Sequence, residues 1–254
     1  MTIESFVQTR VEDREAHRRS KLFRSDADPQ VTVRVKELLH FLDAAPEGSK
    51  GHVASVFSIF NEELASACFC EHLRRNDLGR ARILKETPKP GTSKGARLDR
   101  WLLTNWQDGA QALLQAEIKS WSAQAIGGRR LALDAPEEDC RAFRLNRWAN
   151  QWDDCSSCFK DKAVAKVLLP MRMPAGLPSD IPVQPLLIYW YCIHHEGATD
   201  PLFQYPLCQN KFDVVWVFSV SAFLRALCED TISLPMSDTV VRLSWLRKLL
   251  DQEG

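Results

Sequence analysis

Residues 111–121 read QALLQAEIKSW, and the fold turns on this stretch. Apolar residues run into Glu117-Ile118-Lys119, so a carboxylate and an amine stand two positions apart. In a strand, alternate side chains share a face. Glu117 and Lys119 then project together, while Ala116 and Ile118 point the other way. The strand is expected to bury its apolar face in a core and to present a charged pair on the other.

A second carboxylate lies upstream in GARLDRWLLTN. Asp99 follows Leu98 in a short apolar strand, eighteen positions before Glu117, and the turn-rich TNWQDGAQ lies between the two strands. A hairpin would set Asp99 beside Glu117. A third acid, Glu62 or Glu63, sits in SIFNEELASACF, inside a helical pattern from His52 to about Asn76 carried by Val53, Val56, Phe57, Phe60, Leu64, Cys68 and Phe69. A carboxylate on an apolar helix face needs a partner, because burying it alone is costly. Glu62 continues a line through Ile59, Ala65, Phe69 and Leu73; Glu63 continues one through Val56, Phe60 and Ala67. The first line stays apolar for longer, which favours Glu62 and keeps Glu63 as the alternative.

Carboxylates gathered at one point suit Mg²⁺ or Mn²⁺, which take oxygen ligands and keep several waters. Such a metal polarises a phosphodiester and acidifies a bound water. A neighbouring lysine can orient that water or stabilise charge developing on phosphate. The residue types point to metal-assisted phosphodiester hydrolysis.

The order helix-Glu, strand-Asp, strand-Glu-x-Lys resembles the PD-(D/E)xK nuclease superfamily. The matching residues are Glu62 or Glu63 in FNEEL, Asp99 in RLDRWLL, and Glu117 with Lys119 in LLQAEIKSW, so the likeness covers roughly residues 52–130. Leu98 stands where many members carry the proline before the Asp. The resemblance implies an α/β, restriction-endonuclease-like core with a central mixed β-sheet flanked by helices. It implies a Mg²⁺-dependent deoxyribonuclease in which Asp99, Glu117 and Glu62 serve the metal and Lys119 serves the water. DNA comes ahead of RNA through the resemblance alone, as does a host-defence or mobile-element setting. Many such nucleases act as homodimers or with a partner subunit, which the resemblance allows here. Some keep the fold only to bind nucleic acid or protein, which is the alternative function here.

After the Glu-x-Lys strand, SWSAQAIGGRR offers Ser120, Ser122 and Gln124 as candidates to touch a phosphate backbone, with Gln124 as an accessory to the site. Arg129 and Arg130, then Arg141, Arg144 and Arg147 in the predicted helix DAPEEDCRAFRLNRWANQW, form a candidate basic patch; a solvated helix face is the plainer alternative. Cys155-x-x-Cys158 has the spacing of a zinc site, yet no second clean pair completes four ligands, so free thiols are expected. The tryptophans crowd the middle of the chain, at 101, 106, 121, 148 and 152, where core packing is the expected use and base stacking the alternative.

Lys+Arg and Asp+Glu both number 33, so no whole-chain basic field exists and any nucleic-acid contact must be local. At 45% hydrophobic and 26% charged, the 254 residues can build a substantial core. The opening MTIESFVQTRVEDREAHRRSK has no apolar core of a secretory signal. Eight irregularly spaced cysteines then fit reduced thiols in a cytoplasm. The apolar runs VQPLLIYWYCI and FDVVWVFSVSAFL fall short of the ~20 residues of a membrane span and are expected to include buried strands, as is AVAKVLLPM. SVSAFLRALCED and DTVVRLSWLRKLLDQ are expected as helices. Residues 1–48 are expected to form a helical, partly flexible extension, with a helix from near Pro29 burying Val31, Val35, Leu38, Leu39 and Phe41. APEGSKG (45–51) is the candidate linker to an α/β domain over 49–254.

Overall fold

A computed structural model of the chain describes residues 30–38, 52–91, 97–119, 166–189, 200–207, 211–227 and 231–250. The elements in chain order are β1 (Gln30–Arg34), α1 (His52–Arg75), β2 (Gly79–Ile83), β3 (Arg100–Trp106), β4 (Gln111–Lys119), β5 (Val183–Tyr189), β6 (Leu202–Pro206), β7 (Val214–Ser219), α2 (Val220–Ala226), β8 (Thr231–Pro235) and α3 (Ser237–Leu250). They build a mixed α/β fold around a six-stranded sheet of order β2-β3-β4-β5-β7-β6, with β1 and β8 as a separate pair.

The centre of the sheet is the QALLQAEIK segment. β3 and β4 form an antiparallel hairpin, turned by Gln107–Ala110 with Gly109 at φ 84° and the Asp108 carboxylate accepting the Ala110 N–H at 2.9 Å. An Asp-Gly pair suits this turn, because Gly takes the positive φ without steric cost. β4 then pairs in parallel with β5, and β5 in parallel with β7. Pro185 is tolerated in this central strand: pairing with β7 starts one residue later, at Leu186. β2 and β6 close the two edges antiparallel. At Gly79 in β2, φ is 140°, and a Cβ would meet the Asn105 carbonyl oxygen at 2.3 Å, so the edge strand lies closer than any other residue permits.

One face of the sheet meets α1. Ala112, Leu114, Ala116 and Ile118 of β4 join Leu64, Ala65, Cys68, Phe69 and Leu73 of α1 in the main core, together with residues of α2 and α3. The opposite face is covered by residues 166–181. Val167 and Leu168 pack on Leu187 and Val217, while Ile181 packs on Trp101 and Leu113. β4 is therefore buried on both sides. Glu117 is only 1% exposed, where the sequence suggested an open charged face.

Four local expectations need correction. Residues 30–34 are a strand, not the start of a helix. Val31 and Val33 alternate with polar neighbours and pair with Leu234 and Ile232. Val31, Val35 and Leu38 all enter the main core, so their spacing of threes and fours was satisfied by a strand followed by one helical turn. The region expected as a helical extension thus holds a strand joined to the core. Second, the described end of AVAKVLLPM is not a strand: Lys166 and Val167 close a helical turn that gives way to a loop before Pro170. Third, Asp99 lies one residue ahead of β3 instead of within it. Fourth, β6 and β8 were not anticipated, being five-residue strands that each end in proline. The expected linker 45–51 and the expected helix around 134–152 lie outside the described residues. Among the described residues, no helix is long and apolar enough to cross a membrane.

Candidate functional site

The β3–β4 ladder pairs Arg100 with Ala116, and one further step along the same register brings Asp99 opposite Glu117. Asp99 is fastened to β4 twice. Its N–H donates to the Ala116 carbonyl at 3.0 Å, and its Oδ2 accepts the Ile118 N–H at 2.6 Å. No hydrogen bond among the described residues reaches Asp99 Oδ1.

Glu117 is clamped from the other layer, where Lys166 Nζ lies 2.6 Å from its Oε2. Lys166 is held in place by the strand it contacts. Gln115, two positions before Glu117 and on the same face, donates its amide to the Leu169 carbonyl at 2.9 Å and to the Val167 carbonyl. A single strand face therefore anchors the 166–169 turn by its backbone and receives its charge.

Glu62 approaches from α1. Its Oε2 lies 3.5 Å from Arg100 Nη2, and Arg100 Nη1 donates to the Asp99 carbonyl at 3.1 Å. Glu63, one residue on, is turned elsewhere. It accepts the Asp238 N–H at 2.8 Å, the Thr239 N–H at 2.7 Å and the Thr239 hydroxyl at 2.7 Å, capping the N-terminus of α3. Successive helix residues point about 100° apart, so one acid faces the strand carboxylates and its neighbour staples α3 to α1.

The acids act on one another. Burial pushes the Asp99 carboxyl up to about 7; the Glu117 charge adds to the rise and Glu62 contributes, against the pull of the Ile118 N–H and the Lys166 ammonium. Burial likewise raises Glu63, against its three donors.

Among the described residues, no three His, Cys, Asp or Glu side chains are grouped so as to hold a metal ion. The pair Asp99–Glu117 still has the chemistry of a Mg²⁺ or Mn²⁺ site. Both are hard oxygen donors, they repel one another, and Mg²⁺ commonly takes only one or two protein carboxylates, completing its shell with waters and substrate phosphate. Those two residues would hold the ion, with Glu62 nearby.

Lys119 ends β4 in register with Tyr189; its side chain lies outside the described part. So do Ser120, Ser122, Gln124, Arg129, Arg130, Arg141, Arg144, Arg147, Cys155 and Cys158. Trp101 is fully buried, and Trp106 stacks on Trp216 at 4.6 Å, so these tryptophans serve packing. The sequence pattern did not point to Lys166 or Gln115. The available signal was the same one that singled out Glu117: a charge set inside an apolar run, here Lys166 in AVAKVLL. No protein-family model, no curated protein and no solved structure matches the chain.

Proposed function

We propose that the chain is a metal-dependent nuclease that hydrolyses DNA phosphodiester bonds, built on a restriction-endonuclease-like core. The observation that carries this reading is the placing of Asp99 opposite Glu117 across the end of the β3–β4 hairpin, with Glu117 buried, Asp99 half-buried and the Glu117 charge bearing on Asp99. The order of helix acid, Asp-bearing hairpin arm and Glu-x-Lys arm on a mixed sheet supports it. A bound Mg²⁺ or Mn²⁺ supplies the Lewis acidity and the acidified water such hydrolysis needs.

The chain's own residues do the rest. Asp99 and Glu117 would hold the ion, and the Ile118 N–H fixes one oxygen of Asp99 so that the carboxylate cannot rotate away. Arg100 secures Glu62 beside them. Lys119 orients the attacking water. Local positive charge for a phosphate backbone is at hand despite the neutral chain. Lys89, Arg97 and Arg172 are all exposed, on segments joined by the Arg172 N–H to the Lys89 carbonyl at 2.8 Å and the Leu98 N–H to the Pro88 carbonyl at 3.2 Å. Arg97 is two residues from Asp99.

The Lys166–Glu117 ion pair favours a second reading, a non-catalytic module that retains the fold and binds nucleic acid or protein. Purified wild type and Lys119→Ala, assayed on linear, nicked, single-stranded and supercoiled DNA with Mg²⁺, Mn²⁺ or EDTA, decide between them. Metal-dependent cleavage that disappears in the variant is expected. Equal cleavage by both proteins, or metal-independent binding without cleavage, would overturn the nuclease reading.

A further inference from the structure

We propose that Lys166 is a resident counter-cation that a divalent metal must displace from Glu117, so that the metal-free site is held closed by the chain itself. This rests on the metal-site reading above and adds to it the residue that sets metal affinity.

Three observations point here. The first is contact: Lys166 Nζ sits 2.6 Å from Glu117 Oε2, the place an ion bound to that oxygen would claim. The second is construction. Val167 is fully buried, Leu168 nearly so, and Gln115 fastens the carbonyls on either side of Leu168. The ammonium is therefore delivered to Glu117 by a fixed turn, unlike a surface lysine that samples many partners. The third is position. The Glu117 side chain is 2% exposed and that of Lys166 is 24% exposed, so the pair spans the boundary between core and water. The ammonium can leave toward solvent without carrying a charge through the core.

The electrostatics run the same way. Asp99 feels the charges of both Glu117 and Glu62, and Arg100 and Lys166 are cations set against these acids. Arg100 is fixed on Glu62 and the Asp99 backbone. Lys166 occupies a Glu117 oxygen that a metal bound there would need. A divalent ion compensates Glu117 and Asp99 together, so metal entry and Lys166 release are coupled. The freed ammonium remains tethered at the rim.

The test is Mn²⁺ binding, followed by calorimetry and by the paramagnetic signal of free Mn²⁺, to wild type, Lys166→Met, Lys166→Gln and Glu117→Gln. Removing a unit charge that competes at contact distance in a partly buried site is expected to tighten Mn²⁺ binding on the order of tenfold in both Lys166 variants. Glu117→Gln is expected to abolish it. Thermal melting supplies the second readout. Without metal, Lys166→Met melts below wild type, and saturating Mn²⁺ closes that gap, whereas a merely structural lysine would leave the gap unchanged. Equal Mn²⁺ affinity of wild type and both Lys166 variants would overturn this proposal and leave the metal site standing. Absence of Mn²⁺ binding to all four folded proteins would overturn the metal site as well.

Discussion

Glu63 and Glu117 are equally buried glutamates, each 1% exposed, in opposite circumstances. Glu63 receives three donors, two of them backbone N–H groups at the start of α3 that cannot leave without unravelling the helix end. Glu117 faces another acid and meets the Lys166 ammonium, which can move away toward water. Burial alone does not tell what a carboxylate is for. What distinguishes the two is whether the partner is part of the scaffold or can be exchanged for something else.

The largest expected effect separates them by activity. Asp99→Ala and Glu117→Ala should each lower metal-dependent DNA cleavage by about a thousandfold or more, equivalent to ~4 kcal/mol of transition-state stabilisation. Glu63→Gln should stay within a few-fold of wild type in the same assay. A Glu63 variant as inactive as Asp99→Ala, while still folded, would break the comparison. In urea unfolding the ranking should reverse. Glu63→Ala removes a cap and strands three donors, at a cost of about 2–4 kcal/mol. Glu117→Gln should cost less, because its lysine can turn to water.

A pH series sharpens the contrast. The folded state raises Asp99 from its ordinary 3.8 to about 7, so the native protein holds that proton more tightly than the unfolded chain. Its contribution to stability is full below about pH 4 and disappears as pH climbs through 7. Without metal, Asp99→Asn should therefore melt like wild type at pH 4 and several degrees above it at pH 8. A melting difference independent of pH would show that Asp99 is ionised throughout.

The site was legible where its geometry is local. The alternation of QALLQAEIK and the short, turn-forming connection to RLDRWLL were enough to place Asp99 opposite Glu117, since a hairpin's register follows from its turn. Other parts depended on partners distant in sequence. Which glutamate of FNEEL meets the strands is decided by the first turn of α3, where Asp238 lies 175 positions from Glu63. Lys166 reaches Glu117 across 49 positions. Val31-x-Val33 fits either period until Ile232 and Leu234 take it as a strand.

The smallest expected effect concerns substrate holding. Replacing Lys89, Arg97 and Arg172 together with Ala should weaken DNA binding without sequence preference. It should also flatten the salt dependence by about one unit of log–log slope for each phosphate no longer neutralised. An unchanged slope would move the DNA track elsewhere on the surface.

The β1–β8 pair bears on synthesis. Thr32 and its cross-strand neighbour Ser233 are 201 positions apart. On a ribosome adding ~5–20 residues each second, β1 waits about 10–40 s for its partner. During that interval it is a strand without a mate, the kind of edge that recruits other nascent chains. Its build suits the wait: five residues, with Gln30, Thr32 and Arg34 exposed. A Val or Ile at position 32 or 34 would leave the finished fold nearly untouched, and its harm would fall on the chain still being made.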